Sequence, residues 1–299
     1  MTLPLLETFP RDPFAVTAAF QHGKHPDPSR CEDAWADGDD FTVVVDGSTD
    51  KTGLRFDGRT GGWVVAQLVA DVVSGARSGT SGVDLVEAIN AEYAHRLGRY
   101  LRDVPDHLRP SGVFVALDKK QHRIVRVGDA QYLAGQDARD SEPRDVDRVA
   151  ADARAALLHL LLAGGASVSE LAADDPGRAM VMPLLLARAH ARNTVDVGPA
   201  LRHGVIDGRP VPEVLVEDVT LGAACATVVL ATDGYPRLFG SLEQCEAYLA
   251  EDLAADPLRI GRHPGTKAHD PANASYDDRT WVRLDVAGAG TTKGLSVGR

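Results

Sequence analysis

The segment FTVVVDG, residues 41–47, decides the fold class of this chain. A run of β-branched and apolar residues that stops at Asp46 and Gly47 is typical of a buried strand ending in a turn. The segment ATVVLATDG, residues 226–234, repeats the pattern. Further strands are predicted at residues 14–20, 112–117, 123–127, 131–134 and 280–286. Residues 118–121 separate two of these strands and predict a hairpin loop.

Helices are predicted in blocks between the strands. Apolar residues recur at helical spacing in residues 63–73 and 86–101, so both segments are expected to be amphipathic helices. Residues 146–163 predict a third helix, and two more are expected to begin at Ser167 and Ser241. Because strands and helices come in blocks rather than in strict alternation, the order predicts an α+β protein with helices over antiparallel sheets.

The composition excludes several classes of protein. The chain has 299 residues and a net charge of −11, which argues against binding to nucleic acid or to an anionic membrane surface. It contains no apolar run of the roughly 18 residues that a membrane helix needs, and its N-terminus lacks the features of a secretory signal. Three widely spaced cysteines do not suggest a zinc site. We therefore expect a cytoplasmic protein.

The domain organisation is expected to be simple. We predict one domain over residues 1–288, with a helical and loop-rich insertion near residues 137–215, and a flexible tail over residues 289–299. The insertion is suggested by the glycines and prolines of residues 193–212, and the tail by its Gly, Thr and Ser content.

Acidic residues border the predicted strands at several places. They are Glu32, Asp33, Asp46, Asp129, Asp233, Asp277 and Asp278. Carboxylates held at strand ends suit a hard divalent cation, and a glycine after the Asp lets a backbone carbonyl approach it. An isolated Asp-Gly is nevertheless more often just a turn. The residues alone leave both interpretations open.

The order of five segments resembles that of the protein phosphatase 2C-like family of metal-dependent serine/threonine phosphatases. The segments are CEDAW (31–35), FTVVVDG (41–47), RVGDAQYL (126–133), VVLATDGY (228–235) and DDRTWVRL (277–284). The resemblance spans about residues 14–286. It implies a sandwich of two antiparallel β-sheets flanked by helix pairs, and hydrolysis of a phosphomonoester by a water between two Mn²⁺ or Mg²⁺ ions.

The resemblance also implies roles for individual residues. The catalytic carboxylates that it implies are Asp46, Asp233 and Asp277. The metal ligands that it implies are Glu32, Asp46, Gly47, Asp233 and Asp277, with Asp46 between the two ions and Glu32 binding through water. Asp33, Asp129 and Asp278 are expected around these ligands, with less certain roles.

Several positions depart from the family pattern. Pro28 stands where an arginine commonly grips the phosphate, which leaves Arg30 and Lys51 as candidates for phosphate binding. A third metal site is doubtful because Arg237 occupies one of its two ligand positions. The residues after Gly47 lack the family's general acid. His22, His25, His263 and His269 are weak substitutes for it.

Three functions remain open from the sequence. The first is a protein serine/threonine phosphatase. The second is a small-molecule phosphatase whose pocket is shaped by residues 137–215. The third is a non-catalytic binding or regulatory module that keeps the phosphatase fold. The expected partner is a phosphorylated protein or a small phosphoester, and the sequence does not determine the oligomeric state.

Overall fold

The fold is described by a computed structural model for residues 12–49, 53–135, 137–139 and 145–287. The strands are β1 (Phe14–His22), β2 (Ala34–Asp37), β3 (Phe41–Gly47), β4 (Arg55–Phe56), β5 (Arg59–Thr60), β6 (Gly112–Asp118), β7 (Arg123–Val127), β8 (Gln131–Ala134), β9 (Asp137–Arg139), β10 (Val216–Thr220), β11 (Thr227–Ala231) and β12 (Arg279–Val286). The helices are α1 (Gly61–Ser74), α2 (Gly82–Leu97), α3 (Asp145–Ala163), α4 (Val168–Ala173), α5 (Pro176–Ala187) and α6 (Leu242–Ala255).

The long strands form two five-stranded antiparallel sheets. The first has the order β1-β12-β11-β8-β9 and the second the order β10-β7-β6-β3-β2, while β4 and β5 form a separate small hairpin. Every strand predicted from the sequence is present, and the predicted hairpin loop joins β6 to β7.

The side chains of β3 alternate between two cores, as expected when a sheet is covered on both faces. Val43 and Val45 pack with α1 and α2, whereas Val44 packs between the two sheets. In β11, Val228 and Leu230 belong to the core between the sheets, and the residues between and after them face α6. The order of layers is therefore helices, sheet, sheet, helix, and the predicted α+β sandwich is confirmed.

The helix starts follow local capping chemistry. Ser167 and Glu170 form the predicted capping box, in which each side chain accepts a hydrogen bond from the other residue's backbone. The hydroxyl of Ser241 accepts a hydrogen bond from the backbone of Gln244 at the start of α6. None of the described helices is long and apolar enough to span a membrane.

Helices α3 to α5 belong to the segment predicted as an insertion. Arg154 on α3 is fully buried and fastens this segment to the loop before β12. Its guanidinium donates to the carbonyl oxygens of Leu258 at 2.8 Å and Gly265 at 2.9 Å, and pairs with Asp175 at 2.8 Å. The division of the chain into one domain with an insertion remains a prediction. The predicted tail, residues 289–299, lies outside the described residues.

Candidate active site

The acidic residues lie at one end of the sandwich because the strand register places them there. Asp46 is at the end of β3, and Ala34, just after Glu32 and Asp33, pairs with Val45. In the other sheet, the end of β11 pairs with the starts of β8 and β12, which brings the neighbouring Asp129, Asp233 and Asp277 to the same edge. Strand β3 contacts β11 and β12 across the sandwich, so the two groups face each other.

The electrostatics of Asp46 show how closely the groups converge. Burial raises the pKa of Asp46, and the negative charges of four other carboxylates raise it further. In order of effect they are Asp233, Asp33, Asp277 and Asp129. Sequence positions up to 244 residues apart therefore form one mutually repelling cluster around Asp46.

Asp33 is the most deeply buried carboxylate of the cluster, with 1% of its surface exposed. Its Oδ2 accepts hydrogen bonds from the hydroxyls of Thr232 at 2.8 Å and Thr280 at 2.9 Å. Its Oδ1 has no hydrogen-bond partner among the described residues. Burial raises the pKa of Asp33, and the neighbouring Asp278 adds to this effect. Asp33 thus joins the turn after β11 to the first residues of β12.

Asp277 differs from the other carboxylates because lysines already neutralise it. Lys24 Nζ lies 2.8 Å from its Oδ1, and Lys267 Nζ lies 3.1 Å from its Oδ2. Burial opposes ionisation of Asp277, but the charges of Lys267 and Lys24 outweigh burial and hold its pKa below the usual range. Both carboxylate oxygens of Asp277 are therefore paired with ammonium groups.

Asp278 ties the same lysine to the Glu32 segment. It accepts hydrogen bonds from the backbone nitrogens of Lys24 at 2.8 Å and Glu32 at 3.0 Å. Its Oδ2 also lies 3.3 Å from Lys24 Nζ. Lys24 Nζ also donates a hydrogen bond to Thr49 Oγ1 at 3.3 Å. Its position is therefore fixed by Asp277, Asp278 and Thr49.

Glycines allow the backbone to pack tightly beside Glu32. A Cβ atom on Gly62, in the first turn of α1, would lie 2.9 Å from Glu32 Oε1 and 2.6 Å from the carbonyl oxygen of Ser48. A Cβ atom on Gly47 would lie 2.5 Å from the carbonyl oxygen of Glu32. These distances are shorter than real Cβ contacts, so this corner of the site accepts only glycine.

The residues fit a divalent cation on one side of the cluster only. Hard cations prefer carboxylate and carbonyl oxygens, and Glu32, Asp46, Gly47 and Asp233 offer that donor set. Repulsion between the carboxylates around Asp46 would be relieved by a cation there. On the other side, the oxygens of Asp277 are taken by ammonium groups. Within the described part of the chain, no three His, Cys, Asp or Glu residues already form a group able to hold a metal ion.

A cavity of about 260 Å³ opens beside the carboxylates. Ser48, Thr49 and Gly62 form the wall next to the acidic cluster, and residues 185–192 form the opposite side. The rings of His107 and His190 lie at this cavity with their centroids 4.4 Å apart. The segment predicted to shape a substrate pocket therefore does line a cavity.

The predicted phosphate-binding residues are not placed at the cluster by any described contact. Arg30 is exposed, and its Nη1 lies 2.6 Å from His25 Nε2. Lys51 falls outside the described residues. His22 Nδ1 lies 2.7 Å from the carbonyl oxygen of Gly23, and His263 Nε2 lies 2.9 Å from the hydroxyl of Tyr248. The proposed roles of these residues remain predictions.

Two pairs of residues at the site were missed by the sequence analysis. Lys24 and Lys267 neutralise Asp277, and His107 and His190 meet at the cavity. Each pair joins positions 83 or more residues apart in the chain, and neither pair belongs to a recognisable spacing. No local signal in the sequence could have identified them.

No protein-family model and no curated protein matches this chain. Several solved structures are similar to it. Serine/threonine phosphatase Stp1 from Staphylococcus aureus has a TM-score of 0.49 at 14% identity, over 92% of this chain and 96% of that chain. The phosphatase PstP/Ppp from Mycobacterium tuberculosis has a TM-score of 0.46 at 16% identity, over 92% and 99%.

The phosphatase MsPP from Mycobacterium smegmatis has a TM-score of 0.44 at 16% identity, over 91% and 99%. All three are serine/threonine phosphatases, the class that the five sequence segments resemble. Their identities and scores are too low to assign an activity to this chain.

Proposed function

We propose that this protein is a metal-dependent phosphomonoester hydrolase. The observation that carries the proposal is the convergence of carboxylates from both sheets around Asp46. Such a cluster is costly to fold without a cation, because burial and mutual repulsion both oppose ionisation. A cluster of this kind at strand ends, beside an open cavity, is suited to binding a cation that in turn binds phosphate.

The chain's own residues would hold the reacting groups in place. Glu32, Asp46, the Gly47 carbonyl and Asp233 would bind the cation. Asp33 would hold the end of β11 and the start of β12 beside them through Thr232 and Thr280. When bound, a divalent ion supplies a positive charge for the phosphate oxygens and lowers the pKa of a water. Asp46 sits on a rigid central strand, so its carboxylate needs little reorganisation to serve this role.

The number of ions proposed is one rather than the expected two. Lys24 and Lys267 already provide two positive charges at Asp277, where the family resemblance implies the second ion. A divalent ion at Asp277 would have to displace both ammonium groups. The lysines thus take over charge neutralisation on that side of the cluster. Mn²⁺ and Mg²⁺ both remain candidates for the single ion.

The cavity favours a small phosphoester as a second candidate substrate, beside a phosphorylated serine or threonine of a protein. Its lining includes the buried side chains of Phe56 and Leu185, which offer apolar surface next to the carboxylates. A phosphoserine side chain carries its phosphate on a single methylene group and leaves such a space empty. A small phosphomonoester could fill it with its organic group.

Hydrolysis of para-nitrophenyl phosphate and of a phosphopeptide panel with Mn²⁺ tests the proposal. We expect turnover that chelator removes and that Asp46→Asn lowers by at least about 100-fold. Asp39→Asn, an exposed carboxylate change, is the matched control and should leave the rate unchanged. If wild type and Asp46→Asn both gave no metal-dependent turnover, the enzyme proposal would be wrong. Mn²⁺ binding without turnover would then favour the non-catalytic module.

A further inference from the structure

The cavity lies next to the proposed catalytic site, and Ser48, Thr49 and Gly62 form its wall on that side. Ser48 directly follows the Asp46-Gly47 turn and lines the cavity, and its hydroxyl accepts a hydrogen bond from Ser111 at 2.9 Å. Thr49, also in the lining, lies 3.3 Å from Lys24 Nζ. A molecule in the cavity would therefore lie against residues that directly follow the Asp46-Gly47 turn and contact Lys24.

The cavity has apolar walls from three distant parts of the chain. Phe56 lies on β4, Pro110 lies just before β6, and Leu185 lies on α5. Phe56 is 4% exposed and Leu185 is 3% exposed, so these walls are fixed by the packing of the fold. The helical insertion thus closes the side of the cavity opposite the carboxylates.

Polar and aromatic groups lie among these apolar walls. The rings of His107 and His190, tilted by 31° to each other, provide aromatic surface for another ring. Arg109 also lines the cavity, and its buried Nε has no hydrogen-bond partner among the described residues. An unsatisfied buried donor is costly, and an acceptor atom on a ligand would satisfy it.

The size of the cavity limits what it can hold. A space of about 150 Å³ is enough for benzene, so 260 Å³ admits one substituted ring and little more. The short side chains of phosphoserine and phosphothreonine would leave most of it empty. A folded protein substrate would not enter it.

We propose that this cavity binds the organic group of the substrate, and that the substrate is a small aryl phosphomonoester with a polar ring substituent. This inference rests on the proposed phosphatase function, because a cation held by the carboxylate cluster is taken to bind the phosphate. The ring packs between Phe56, Leu185 and the histidine pair. The ring substituent accepts a hydrogen bond from Arg109 Nε.

Calorimetric binding of phosphonates, which the protein cannot hydrolyse, tests the inference without relying on turnover. With Mn²⁺ present, we expect phenylphosphonate to bind at least tenfold more tightly than methylphosphonate. A 4-carboxyphenyl or 4-acetylphenyl analogue should bind more tightly still, and Arg109→Met should remove that additional gain. Equal affinity for phenylphosphonate and methylphosphonate would overturn the inference.

A pair of tryptophan variants on α5 provides the matched control. Ala187 is exposed and lines the cavity, so Ala187→Trp should fill the space with little effect on the core. Ala179 is exposed on the same helix but does not line the cavity, so Ala179→Trp should leave binding unchanged. We expect Ala187→Trp to abolish the tenfold preference for the ring. A preference that survives in Ala187→Trp would place the ring elsewhere and overturn the inference.

The inference and the proposed function fail in different ways. Ring-dependent phosphonate binding without any hydrolysis of aryl phosphates would support the cavity assignment and contradict the phosphatase function. Metal-dependent hydrolysis with no discrimination between aryl and alkyl esters would support the phosphatase function and contradict the cavity assignment.

Discussion

Replacing the lysines beside Asp277 should strengthen metal binding. Opposite unit charges about 4 Å apart attract by about 4 kcal/mol at an effective dielectric constant of 20. The side chains of Lys24 and Asp277 are 18% and 28% exposed, so solvent screening reduces this value to about 1–2 kcal/mol. Lys24→Met or Lys267→Met should therefore free the carboxylate and lower the dissociation constant for Mn²⁺ about tenfold. The double variant should bind a second ion.

Isothermal titration of metal-free protein with Mn²⁺ measures both the affinity and the number of ions. Wild type should bind one equivalent, and the double variant two. Lys120→Met is the control, because Lys120 pairs with Asp40 at the opposite end of β3 from Asp46. Thermal unfolding of each variant checks that it is folded. If wild type bound two equivalents of Mn²⁺, or if the double variant bound Mn²⁺ no more tightly than wild type, the lysines would not be what excludes a second ion.

Three further predictions concern stability and local packing. Burial opposes ionisation of Glu246, but hydrogen bonds from Arg279 outweigh burial and lower the Glu246 pKa in the folded protein. The ionised Glu246 therefore stabilises the fold fully above its unfolded-state pKa of about 4.3. This stabilisation is lost as the pH falls through the lower pKa of the folded state. Glu246→Gln should lower Tm at pH 7 by a few degrees and flatten the acid-side decline in a pH series of melts. Gly62→Ala should weaken Mn²⁺ binding at least tenfold and also lower Tm, because its Cβ would lie 2.9 Å from Glu32 Oε1 and 2.6 Å from the carbonyl oxygen of Ser48. Arg154→Met should destabilise the chain by about 3–5 kcal/mol in urea unfolding, because it leaves its buried hydrogen-bond partners unpaired. The explanation for Glu246 would be wrong if Glu246→Gln melted at the same temperature as wild type at every pH. The explanation for Gly62 would be wrong if Gly62→Ala bound Mn²⁺ as tightly as wild type. The explanation for Arg154 would be wrong if Arg154→Met had the urea midpoint of wild type.

The strands were predictable because their signals are local. Val43, Val44 and Val45 form an uninterrupted apolar run, and a sheet buried on both faces requires this composition. The order of strand and helix blocks was enough to predict α+β architecture. Strand β10 gave no such signal because it is a short edge strand whose residues Glu217 and Asp218 are polar. Helix α5 was obscured by Pro183 in its interior.

The acidic half of the candidate site was predictable for a similar reason. Asp46 ends the buried strand β3 and Asp233 follows the buried strand β11, and the packing of the two sheets then brings them to one end of the sandwich. The basic half was not predictable, because Lys24 meets Asp277 only through the tertiary fold. The cavity wall was expected from residues 137–215 as a region, but no individual residue of it could be chosen. A local sequence pattern does not show which side chains from distant segments will pair.

The proposed function requires that the carboxylates around Asp46 bind a divalent cation. Anomalous diffraction from a crystal grown with Mn²⁺ would locate this cation. We expect one strong anomalous peak within coordination distance of Asp46, with Asp277 still paired with Lys24 and Lys267. The absence of any peak near Asp46 at saturating Mn²⁺ would contradict it.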